Sequence, residues 1–202
     1  NLRAEGIPDA KIRFVGNVMV DTLLTLRAKA AAYAAPEAHG VAGRPYAFCT
    51  FHRPSNVDRA EVLGEILGAL DDLAATMPVI FAIHPRTRQR IGEFGLERLA
   101  ARVTLLDPLS YLETISLVDR ATLVLTDSGG LQEETTVLGV PCLTARPNTE
   151  RPVTITEGTN RLIPSRRAGI NQAVAEVLAR RANGGFQPGR PEGWDGRAGE
   201  RI

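Results

Sequence analysis

Long apolar runs are missing from these 202 residues. Nothing approaches the ~20 consecutive apolar side chains that a membrane-spanning helix needs, and the opening stretch NLRAEGIPDA lacks the charged-then-apolar pattern of a secretory signal. The expectation is a soluble, cytoplasmic protein with no membrane partner. An excess of one charge is missing too, with 24 basic against 23 acidic residues and a formal net charge of +1. That balance excludes the one-sided basic surface of a non-specific nucleic-acid binder, so any anion must be gripped by a local cluster. Cysteine is scarce: Cys49 and Cys142 sit in apolar, strand-like runs without a CxxC or CxxH neighbourhood. They read as reduced core thiols, and no metal site is expected. No internal repeat is visible.

What is present is 44% apolar residues, enough for one sizeable core with appendages. Short apolar runs alternate with longer segments of helical period, the signature of a parallel sheet flanked by helices. Strands are expected at 46–50, 79–83, 103–106, 122–126, 141–144 and 161–163, giving a Rossmann-like, doubly wound α/β sheet of six strands. The run DRAEVLGEILGALDDLAAT places Val62, Ile66, Leu67, Leu70 and Leu73 on one helical face, with Asp58 as its N-cap and Pro78 as its far boundary. Further helices are expected at 87–100, 111–119, 130–138 and 167–182. Residues 12–15 resemble a lone strand, followed by a helix over 18–34. A strand without neighbours suggests that residues 1–40 are the end of another domain plus a linker, ahead of a core domain at 41–182. Residues 183–202, rich in Gly and Pro and carrying the single Trp, read as an irregular or loosely docked tail.

In an open parallel sheet, ligands bind beyond the carboxyl ends of the strands where strand order reverses. With the order 3-2-1-4-5-6, the exit loops of the first and fourth strands meet there. Those loops are FHRPSN and DSGGLQEE, both dense in polar residues. Ser128, Gly129 and Gly130 lead straight into a helix, whose free N–H groups and dipole suit a phosphate; a tight turn with a cap would give the same pattern. Of the two acids in that helix, Glu133 is assigned to stabilising the helix start and Glu134 to the hydroxyls of a nucleotide ribose. His52, beside Arg53, can neutralise a phosphate or shuttle a proton. Asn56 can lock the loop or touch the ligand. His84, before the basic run Arg86, Arg88 and Arg90, lines the same mouth or simply starts a solvated helix. Arg151 can pair with a diphosphate, or with Glu150 or Glu134.

Taken in order, VGNVMVD, HRPSNVD, HPR, DPLSYLE, TDSGGLQEE, LGVPCLTAR with NTERP, EGTNRLI and WDGRAGERI resemble the non-hydrolysing UDP-N-acetylglucosamine 2-epimerases over most of the chain. The resemblance implies one half of a GT-B-like enzyme of two Rossmann-like domains, with VGNVMVD joining them and the first domain absent here. It implies interconversion of UDP-GlcNAc and UDP-ManNAc by anti elimination of UDP to 2-acetamidoglucal and re-addition, for cell-wall polysaccharide synthesis. No cofactor, NAD or metal, is implied. By the same likeness Ser128, Gly129 and Gly130 hold phosphate, Glu134 the ribose and Arg151 the diphosphate. His52 sits at the reacting end, and Leu109 and Thr114 lie near the uracil. Ser55, Thr114 and Val153 depart from common family residues. The carboxylates acting on the sugar fall in the absent domain, so this half alone is expected to bind UDP weakly without turnover; full-length relatives imply a homodimer. Rival readings are the donor-binding domain of a GT-B glycosyltransferase and a non-catalytic nucleotide-sugar module.

Overall fold

A computed structural model describes residues 2–184 and 189–202. Its elements, in chain order, are α1 (Val18–Ala32), α2 (Ala35–Ala38), β1 (Ala47–Thr50), α3 (Pro54–Val57), α4 (Ala60–Ala74), β2 (Val79–Ala82), α5 (Pro85–Glu93), β3 (Thr104–Leu106), α6 (Tyr111–Arg120), β4 (Leu123–Thr126), α7 (Gly129–Leu138), β5 (Cys142–Ala145), α8 (Val153–Thr156), β6 (Asn160–Ile163), α9 (Arg167–Ala182) and α10 (Ala198–Arg201). The six strands form one parallel sheet in the order β3-β2-β1-β4-β5-β6, as the alternation of runs and periods predicts. Register across the centre is fixed by Phe48 opposite Ile80 on one side and Val124 on the other.

Each central strand is buried on both faces, which is why AFCT, VIFA, LVLT and CLTA read as continuous apolar runs instead of alternating ones. Successive side chains still part to opposite faces. Cys49, Phe81, Leu125 and Leu143 join Leu63, Ile66, Leu67 and Leu70 of α4 and Ile170 of α9 in one core layer. Phe48, Ile80, Val124 and Cys142 face Leu117 and Val118 of α6 and Leu131 of α7 in the other. Burying a side chain of this kind stabilises the fold by roughly 1.5–3 kcal/mol, so the sheet is the rigid platform from which the loops project. Outside it, α1 lays Leu23 and Ala30 against Ile115 of α6.

Residues 12–15, expected to pair in another domain, join no strand of this sheet and leave Phe14 69% exposed. Two local expectations are corrected. Asp58 does not cap α4, whose N-cap position is Arg59, because its carboxylate is taken by Arg86 and Arg90 of α5. The helix expected over 87–100 starts two residues earlier, stops at Glu93, and is followed by a 3-10 turn at Glu97–Ala100, the break falling at Gly95 in the left-handed region.

The tail is anchored where it is described. Trp194 and Ala198 are buried, and both oxygens of Asp21 in α1 accept backbone N–H groups at the start of α10, from Ala198 at 3.1 Å and Gly199 at 2.7 Å. Part of the expected irregular tail, residues 185–188, lies outside the described residues.

Candidate functional site at the carboxyl ends of the strands

The exit loops of β1 and β4 are joined by one buried carboxylate, Asp127, the first residue after β4. It has no exposed surface and accepts from the backbone N–H of His52 (3.1 Å), the backbone N–H of Arg53 (2.9 Å) and the Asn56 side-chain amide (3.0 Å). The His52 Nδ1 lies 3.1 Å from Asp127 Oδ1. Burial pushes an acid of this kind up. Here the donors from His52, Asn56 and Arg53 outweigh burial and hold the carboxyl below its ordinary range. Asn56 also donates to the carbonyl of Ala145 at the end of β5 and accepts from the Ser165 hydroxyl, so it locks three loops together. The Arg53 guanidinium reaches back to the carbonyl of Asp127 at 3.3 Å.

Directly beyond Asp127, Ser128 is the extended N-cap residue of α7, and its hydroxyl makes no capping bond. A Cβ at Gly129 or Gly130 would meet nothing within 4 Å, so packing within the chain does not demand glycine at either position. What the two glycines provide is unshielded backbone at a helix start, where the first N–H groups have no intrahelical acceptor. Gln132 braces this turn from behind: its Nε2 donates to the Ser128 carbonyl at 3.1 Å, while its Oε1 accepts from Thr149 and Asn160.

The two acids of α7 differ in their surroundings. Glu133 Oε1 accepts from the Asn17 amide at 2.8 Å and forms an ion pair with Arg151, whose Nε lies 2.9 Å away. It is therefore bound to specific donors, not simply set against the helix dipole as expected, and the expected partners of Arg151 are otherwise engaged. Glu150 pairs with Arg146, which holds its carboxyl at about 2. Glu134 is buried, which raises its carboxyl above the usual range; a hydrogen bond from the Tyr111 phenol opposes the shift and the charge of Glu133 adds to it. Tyr111 is pushed up in turn to about 12, by burial and by that carboxylate.

Near the exits of β1 and β2, His84 caps α5 by accepting the Arg86 N–H on Nδ1 at 3.1 Å, and its ring centre lies 5.8 Å from that of His52. His84, Leu109 and Thr114 line a cavity of about 180 Å³ with Phe48, Thr50 and Pro108. A larger cleft, about 640 Å³, opens at the other end of the sheet beside Tyr46, Met77 and Thr122, and none of these polar loops reaches it.

The residues singled out in sequence thus fall into connected groups: His52, Arg53 and Asn56 around Asp127 and Ser128; His84, Leu109 and Thr114 around one cavity; Glu133 with Arg151; and Glu134 with Tyr111. Sequence reasoning missed Asp127, Gln132, Tyr111 and Asn17 as site residues. The signal for Asp127 was an acid placed directly after the buried strand LVLT. Among the described residues no group of His, Cys, Asp and Glu could hold a metal ion, and no helix is long and apolar enough to cross a membrane.

Comparison with known proteins follows the same lines. The profile of a family described as UDP-N-acetylglucosamine 2-epimerase matches residues 1–202. The chain is 38% identical over 210 residues to the UDP-N-acetylglucosamine 2-epimerase of Methanocaldococcus jannaschii, an alignment covering 100% of this chain and 56% of that protein. It is also 38% identical over 184 residues to the UDP-2,3-diacetamido-2,3-dideoxy-D-glucuronate 2-epimerase of Pseudomonas aeruginosa, covering 89% of this chain and 50% of that one. The crystal structure of the M. jannaschii enzyme in complex with UDP-GlcNAc and UDP superposes with a TM-score of 0.83 at 36% identity, over 100% of this chain and 57% of that chain. The chain spans about half the length of the relatives it matches.

Proposed function

The chain belongs to the UDP-N-acetylglucosamine 2-epimerase family, and from that premise we propose that it is the nucleotide-binding half of a UDP-sugar 2-epimerase, with UDP-N-acetylglucosamine as the substrate. The observation that carries the reading is the convergence, through Asp127, of the His52 loop on the Ser128–Gly129–Gly130 helix start. In this assignment the diphosphate lies on the free N–H groups of α7, with Arg151 and His52 at its sides. The uracil lies toward Leu109 and Thr114, and the ribose hydroxyls lie on Glu134. Arg53, Asn56, His84 and Glu133 support these contacts.

The reaction follows from what such a site does well. A base removes the proton on C2 of the sugar, the C1–O bond breaks, and UDP leaves as an anion to give 2-acetamidoglucal. UDP then adds back to C1 as C2 is protonated from the other face, giving the manno epimer. The helix start and the cations stabilise the departing diphosphate, where charge accumulates. The groups that move the C2 proton are assigned to the half of the relatives that this chain does not match, which makes that other domain its first partner and this half inactive by itself. We place the protein in the cytoplasm as a homodimer; two free, buried cysteines fit a reducing compartment.

Calorimetry on this chain tests the first step: UDP is expected to bind and uridine to bind much more weakly. Joined to the matching first domain, the protein is expected to exchange the C2 proton of UDP-N-acetylglucosamine with deuterated water without any acceptor. Absence of exchange would remove the epimerase assignment and leave a glycosyltransferase donor domain or a binding module.

A second reading concerns the sugar. The Pseudomonas relative matches this chain at the same 38% identity as the Methanocaldococcus one, over 184 residues against 210, which favours testing the diacetamido uronate nucleotide beside UDP-N-acetylglucosamine in the same exchange assay.

A further inference from the structure

Asp127 stands behind His52 in a geometry that decides which ring nitrogen carries hydrogen. Oδ2 takes the Arg53 N–H at 2.9 Å and the Asn56 amide at 3.0 Å, and the His52 N–H straddles both oxygens at 3.1 Å. Oδ1 is left facing His52 Nδ1 at 3.1 Å. An ionised carboxylate only accepts, so a hydrogen shared at this contact sits on Nδ1. In its neutral form the ring then keeps a bare lone pair on Nε2, at the opposite edge of a side chain that is 39% exposed.

A bare lone pair repels a phosphate oxygen, whereas a protonated Nε2 donates to it. We propose that Asp127 is a positioning residue that fixes His52 in the Nδ1–H form, so that an arriving diphosphate draws one proton from solvent onto Nε2 and is met by an imidazolium held between two anions. The proposal rests on the diphosphate assignment above and adds to it a protonation state and a proton count.

Other ionisable groups stand on the loops around the ring. From its own loop comes Arg53, turned back to the Asp127 carbonyl. From the β2 exit comes His84, whose Nδ1 is committed to accepting from Arg86. From the β5 exit comes Arg146, paired with Glu150. The arginines oppose a second positive charge on His52, so the Asp127 carboxylate is what holds it there.

The isosteric Asp127→Asn variant separates this role from plain support. Its Oδ1 can serve the backbone and Asn56 donors, which turns its amide N–H toward His52 Nδ1 and moves the ring hydrogen to Nε2. No added proton is then needed. The experiment is residue-specific ¹⁵N spectroscopy of the imidazoles in the 202-residue chain, with UDP-N-acetylglucosamine as probe because its diphosphate is esterified at both ends. Affinity is measured across the neutral pH range alongside.

In the wild type, neutral His52 is expected in the Nδ1–H form when free and protonated on both nitrogens when bound. Affinity should fall as pH rises, by up to about tenfold per unit for one proton. In Asp127→Asn the ring should be Nε2–H in both states and the affinity flat with pH. A wild-type neutral ring carrying hydrogen on Nε2 overturns the proposal, as does a flat wild-type affinity when the Gly129 and Gly130 amides respond to ligand. If those amides do not respond, the nucleotide assignment fails, and the free-ring spectrum alone decides what Asp127 does. The wild-type spectrum also suffices if the variant does not fold.

Discussion

The two ends of the sheet hold clefts of opposite character. At the amino end the opening is the larger, about 640 Å³, yet two of its three arginines are occupied: Arg120 pairs with Glu37, and Arg181 donates to the Thr122 carbonyl. At the carboxyl end the cavities are smaller, about 180 Å³ beside His84 and about 420 Å³ beside Arg146 and Ser165, but three loops are tied together there by Asp127 and Asn56, and the start of α7 stands open beside them. Volume and chemistry disagree, and chemistry is the better guide. Convergent polar groups cost stability unless something uses them, whereas a groove between loops costs little.

The hardest way to break this contrast is to remove its centre. Asp127→Ala strands the donors that converge on one buried carboxylate, so it is expected to cost about 3–5 kcal/mol in urea unfolding and to abolish UDP binding. A sharper but milder test is Gly129→Asp. Open space surrounds that position and an acid suits a helix start, so stability should hold or rise slightly, while UDP affinity falls by about tenfold or more from repulsion of the diphosphate.

The carboxyls themselves give the third test, through opposite pH dependences. Glu134 is raised in the folded state, so the folded protein binds more protons, and stability is lost as pH rises from the ordinary carboxyl range through the raised value. Glu134→Gln should therefore stabilise the chain at neutral pH, by on the order of 1 kcal/mol, with the gain vanishing in acid. Asp127 is lowered, so its contribution is fully present above the ordinary range and is lost as pH falls through the lowered value. Urea midpoints measured across pH read both slopes. The smallest effect belongs to the amino-end cleft: Arg44→Glu should change stability by less than about 0.5 kcal/mol and leave UDP affinity unaltered. A tenfold loss there would reverse the ranking of the two ends.

Much of this was legible because burial on both faces leaves so plain a mark. The central strands could be read from AFCT, VIFA, LVLT and CLTA, and their order placed HRPSN beside DSGG. Residues 12–15 carry a similar mark but join no strand of this sheet, since alternation records which side chains are bulky and not which strand they meet. Asp127 was passed over because its donors lie 71 to 75 positions away and become neighbours only once β1 and β4 pair. The anchoring of the tail was hidden in the same way: Asp21 and the start of α10 are 177 positions apart, and nothing in a Gly- and Pro-rich composition announces a contact of that kind. The division of labour between Glu133 and Glu134 was likewise beyond reach, because it depends on Asn17 and Tyr111 arriving from different helices.

A single oxygen of Glu133 serves two masters, the amide that opens α1 and the guanidinium that guards the mouth of α7. Were an anion to coax Arg151 away, that oxygen would belong to Asn17 alone and its grip there would tighten. The cap of the first long helix and the charge displayed to an incoming molecule therefore share one acceptor.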